Sequence, residues 1–192
     1  MAQGRPAAIA YLTIVQDDRT GWTGGLLVLG VGGRPLEFQC TLPVRPSRTH
    51  EILFGSSLRG HLISEIIAPV LVEKCRTPIG LLCCDQPEVF RLGDTSVFPI
   101  GLVRQAAQVE EGPIDADTLP QCETVELAGS LIDVPMERHE GALSIVNELA
   151  DIPDAIEPFE RIREAIREAQ AQIAAAASAN MTPQRFSQSR AA

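Results

Sequence analysis

Lysine is nearly missing from this chain. One of its sixteen basic residues, Lys74, is a lysine, and the rest are arginines. Aromatic residues make up only 4% against a hydrophobic content of 45%, so the core must be aliphatic. No window approaches the roughly 18 apolar residues that span a bilayer. The start, Met1-Ala2-Gln3-Gly4-Arg5-Pro6, has no apolar run behind its charge, so no signal peptide is expected. The five cysteines, Cys40, Cys75, Cys83, Cys84 and Cys122, are odd in number and two are vicinal in an apolar stretch. That is no disulfide framework, and the expectation is reduced thiols in a cytoplasmic protein without a membrane partner.

Familiar chemical motifs are also missing. Cys40, His50, His61 and Cys75 lack the close ligand spacing of a structural zinc site. Neighbouring side chains on a strand point to opposite faces, so Cys83 and Cys84 cannot share an ion. Gly30-Val31-Gly32-Gly33 precedes no helical pattern, and a phosphate loop needs a helix N-terminus behind it. Ser56-Ser57 lies outside any nucleophile elbow.

The 192 residues fit one domain with an appendage. Net charge is −9, unevenly spread: ten Lys/Arg face nine Asp/Glu over 1–104, and six face sixteen over 105–192. An acidic chain is a poor general binder of nucleic acid, which is therefore not the expected partner.

Ala7 to Gln16 is apolar on both alternations, the mark of a strand covered on both faces. Trp22 to Leu29 makes a second strand, where Gly24-Gly25 implies a bulge or a close backbone approach. Leu36 to Leu42 alternates apolar and polar residues and reads as an edge strand. Tight turns join the three into an antiparallel meander. An irregular connector, 43–50, follows. Leu58, Leu62, Ile63, Ile66, Ile67, Val70 and Leu71 then mark an apolar helical stripe running to Lys74, with a kink expected at Pro69. The apolar strand Ile79 to Cys84 stops at Asp85, which is placed to cap a short helix over Pro87 to Leu92. Val97 to Val103 closes the sheet, at an edge because of Pro99. The expected organisation is a mixed α/β (α+β) domain over 1–104 with a five-stranded sheet, then an acidic linker or wrapping segment at 105–135. A helical segment over 136–180 and a disordered tail at 181–192 complete it.

Meander, helix, strand and strand, in that order, resemble the ribonuclease H-like fold over roughly 7–103. The resemblance implies carboxylates within the first strand, on the first helix and at the end of the fourth strand, holding two divalent metals such as Mg2+. Glu65 matches the helix place and Asp85 the strand end. Ala8 to Gln16 contains no acid, and Asp17 and Asp18 come only at the following turn.

Two readings of function follow. The first is a non-catalytic binding or assembly module acting through protein–protein contacts or self-association, leaning away from an enzyme. Its contact residues are the seam Phe159, Ile162, Ile166 and Ile173 on the last helix, which suits either the chain's own sheet or a partner helix. Arg45, Arg48 and Arg59 are candidates for an anion contact. The alternative is a metal-dependent nuclease or phosphate-handling enzyme using Glu65, Asp85 and Asp17 or Asp18.

Overall fold

The computed structural model describes residues 8–106 and 120–180. Seven strands form one mixed sheet: β1 (Ile9–Asp17), β2 (Gly21–Leu29), β3 (Pro35–Cys40), β4 (Leu81–Cys84), β5 (Ile100–Val103), β6 (Cys122–Leu127) and β7 (Ser130–Pro135). Their spatial order is β3-β2-β1-β4-β5-β7-β6. β1, β2 and β3 pair antiparallel, β4 and β5 continue parallel to β1, and the β6–β7 hairpin returns antiparallel. A meander followed by parallel strands on the far side of β1 is the ribonuclease H-like arrangement, and the chain has that mixed α/β fold.

β1 is apolar on both alternations because both of its faces are covered. Ala8, Ala10, Leu12 and Ile14 pack with α2 (Leu58–His61), the π-helical turn Leu62–Ile67 and α3 (Ala68–Lys74). Ile9 and Tyr11 pack on the other side with α4 (His139–Glu148) and α5 (Glu157–Asn180). Pro69 explains the π turn. A proline cannot donate to the carbonyl four residues back, and the wider turn absorbs the mismatch as an alternative to a kink. Gly24 and Gly25 permit close approach from both layers. A Cβ at Gly24 would collide with Ile67 and Leu71, and one at Gly25 with Ile162 and Ile166.

Several expectations are revised. The sheet has seven strands where five were expected, because β6 and β7 lie inside the stretch read as a linker, 105–135. Val125 and Leu127 turn inward between exposed acids, and Gly129 at φ +76 closes the hairpin. That hairpin covers β5, so β5 is interior, and Pro99 stands just before the strand, where its carbonyl accepts from Leu82 N–H. The connector read over 43–50 holds the start of α1 (Arg48–Phe54), capped by the Ser47 hydroxyl. The tail 181–192 lies outside the described residues. No helix among the described residues is long and apolar enough to cross a membrane.

Candidate functional site at the carboxyl edge of the sheet

Leu12 on β1 lies opposite Cys84 on β4 in parallel register. Both strands therefore deliver their next residues, Thr13 and Asp85, to the same edge. In open parallel sheets this carboxyl edge is where ligands bind. Asp85 is fully buried. Thr13 Oγ1 donates to its Oδ2 at 2.7 Å, and Arg163 Nη2 on α5 donates to the same oxygen at 2.5 Å. Burial pushes the Asp85 carboxyl up to about 6, against the opposing pull of the Thr13 hydrogen bond and the Arg163 charge. Gln86 then extends the strand pairing with its side chain. It accepts from Ile14 N–H at 3.1 Å and donates to Ile14 C=O at 2.8 Å.

More guanidinium groups line this edge. Arg59 on α2 donates to Glu88, three residues beyond Asp85, at 2.6 Å, and stands 5.7 Å from the centre of the Trp22 ring. Trp22 pairs with Gln16 at the end of β1. Arg45 donates to the carbonyl of Thr20 at 3.1 Å, in the turn between β1 and β2. Arg59 and Arg163 each keep 22% of their side chains exposed, and Arg45 is exposed.

Asp85 is the one candidate acid at this edge. Glu65 is 59% exposed on the π turn and pairs with His61 Nδ1 at 3.0 Å. Asp17 lies four residues past Thr13, about 13 Å along an extended strand. Its carboxylate accepts from Arg19 and Thr20 backbone N–H groups, which hold it below the usual carboxylate range. Asp18 is exposed in that turn. Among the described residues no group of three or more His, Cys, Asp or Glu side chains is placed to hold a metal. The donor set therefore does not fit the Mg2+ pair that the topology implies: the first-strand place holds a threonine, and a guanidinium sits on the strand-end acid.

The last-helix seam packs at home. Phe159, Ile162 and Ile166 are fully buried against the chain's own sheet, and the Phe159 ring meets Tyr11 edge-on at 5.4 Å. Only Ile173, further along, is about half exposed. Arg48 pairs with Glu51 on α1 and is not linked to the edge. Sequence reasoning missed Thr13 and Arg163. Arg163 reads as the partner of Glu160, yet it stands four residues after Phe159 and three before Ile166, on the margin of the buried seam. That spacing was the available signal.

No protein-family model and no curated protein matches the sequence. Among solved structures, the chain resembles human endonuclease V at 13% identity over 86% of each chain, with a TM-score of 0.41. It resembles Ciona intestinalis endonuclease V in complex with DNA containing an inosine followed by a ribo-adenosine at 12% identity. That match covers 86% of this chain and 87% of that one, with a TM-score of 0.48. A second complex of the Ciona protein with such DNA matches at 11% identity over 88% of each chain, with a TM-score of 0.45. Likeness at this level concerns the fold. These structures are endonucleases, two of them with DNA. They correct three expectations: a non-catalytic module, an emphasis on protein–protein contacts and the exclusion of nucleic acid as a partner.

Proposed function

We propose that this chain is a phosphate-handling protein of ribonuclease H-like topology whose partner is nucleic acid. One observation carries the reading. Two arginines, Arg59 and Arg163, stand at the carboxyl end of β4, each paired to an acid there, and a third, Arg45, reaches the β1–β2 turn, in a chain of net charge −9. Asp85 holds Arg163 and Glu88 holds Arg59, so two of these cations are fixed in place before a ligand arrives. A guanidinium carries five donors in a planar fork, which lets one group bridge a protein carboxylate and a phosphate oxygen. Asp85 is a positioning residue on this account, and Arg163 and Arg59 make the contact. The free thiols and the lack of a membrane-crossing helix among the described residues support a cytoplasmic setting.

Fluorescence anisotropy with a short labelled single strand and its duplex tests the reading. Saturable binding is expected at low salt, with log K falling against log salt at a slope of about −1.5 to −2 for the two phosphate contacts of Arg59 and Arg163. Arg59→Ala and Arg163→Met are each expected to weaken binding about tenfold. Equal binding by wild type and a variant lacking all three arginines would remove the proposal.

A further inference from the structure

We propose that Arg163 takes the place of a divalent metal at the carboxyl edge, so that the site engages a phosphate oxyanion directly through a guanidinium held by Asp85. The oxyanion half of this inference rests on the nucleic-acid reading above. The replacement of the metal does not, because it follows from the donor set.

A metal pair needs negative charge from several directions, and two of the three directions are closed here. Thr13 stands where the first strand would bring an acid, and its hydroxyl donates to Asp85, adding no charge of its own. Glu65, the helix carboxylate, is turned to His61. The remaining acid, Asp85, has a permanent cation on its Oδ2. A divalent ion there would have to share one carboxylate with a guanidinium, and Glu88, the other acid described at this edge, is already paired to Arg59.

Arg163 is also not delivered by a loose segment. On the turns of α5 around it, Phe159, Ile162 and Ile166 are fully buried. One turn beyond Ile166, Gln170 Nε2 donates to Thr23 Oγ1 on β2 at 3.0 Å. The same helix face that closes the core therefore brings the cation to the strand end. A positive group held by packing, facing solvent over about a fifth of its surface, sets a fixed cation on the strand-end carboxylate and asks for no supply of ions.

Two measurements on the full chain test this. In the first, Mn2+ is titrated into wild type and Asp85→Asn, with free Mn2+ followed by electron paramagnetic resonance. Wild type is expected to take up no Mn2+ that Asp85→Asn fails to take up. Uptake by wild type that is lost in Asp85→Asn overturns the inference, whatever nucleic acid does. In the second, anisotropy of the labelled single strand is compared in EDTA and in Mn2+. Affinities within about twofold are expected, with Arg163→Met about tenfold weaker and Arg163→Lys between the two. Binding that appears only with Mn2+ overturns the inference and leaves the nucleic-acid reading standing. No binding in either condition removes that reading and with it the oxyanion half. Circular dichroism of each variant separates a lost contact from a lost fold.

Discussion

Burial holds the Asp85 carboxyl at about 6, above the 3.8 of an exposed aspartate. Between these values the folded chain keeps a proton that the unfolded chain has released. Raising the pH strips that proton at the expense of the fold. The group's stabilising share is therefore fully present below pH 3.8 and lost as pH rises through about 6. Replacing Asp85 by asparagine removes this slope. Urea unfolding from pH 4 to 7 should show the variant gaining on wild type by on the order of 2–3 kcal/mol across that window. Other carboxylates shift both proteins together, so the difference isolates Asp85. The thiols give a second test at this scale. Cys83 and Cys84 are fully buried and burial pushes both up, while Cys75 is pushed to about 11 by burial and by Glu37. Cys40 and Cys122 are exposed. A thiol reagent should therefore label Cys40 and Cys122 first in the native protein, Cys75 slowly, and Cys83 and Cys84 only in denaturant.

At the scale of elements, β2 and α5 bear most of the constraint. Gly24 and Gly25 leave room on both faces of β2, one for α3 and the π turn, the other for α5. Gly25→Ala would press on Ile162 and Ile166, and overpacking of that kind costs about 1–3 kcal/mol. Because α5 carries Arg163, the same substitution should also displace the cation. Loss of urea stability together with weaker oligonucleotide binding is expected, and Gly24→Ala, which presses on Ile67 and Leu71 two turns beyond Arg59, should cost stability with a smaller loss of binding. Phe159→Ala removes a fully buried ring and its edge contact with Tyr11, a loss of about 3–5 kcal/mol by the same unfolding measurement. The helices also show where local pattern stops being sufficient. The stripe from Leu58 to Leu71 is plain in the sequence, but whether Pro69 kinks the helix or widens one turn depends on how Ile63 and Ile67 must reach the sheet.

For the whole molecule, the two covering layers explain why the place of β1 follows from its own residues: a strand apolar on both alternations has to be interior. The meander, the helix to Lys74 and the strand ending on Asp85 were legible for the same reason, since each is written in contiguous residues. The β6–β7 hairpin was not, because Val125 and Leu127 are thinly spread among Glu123, Thr124 and Glu126, and a short acidic alternation gains an inward face only once β5 offers an edge.

By itself the sequence determined the periodic elements and the placing of Asp85 at the end of a central strand, because side-chain periodicity is local and burial must match it. Only the tertiary structure decided what meets Asp85. Thr13 and Arg163 lie 72 and 78 residues away along the chain. A charge finds its partner by distance through space, which packing of α5 on the sheet sets and no local pattern records.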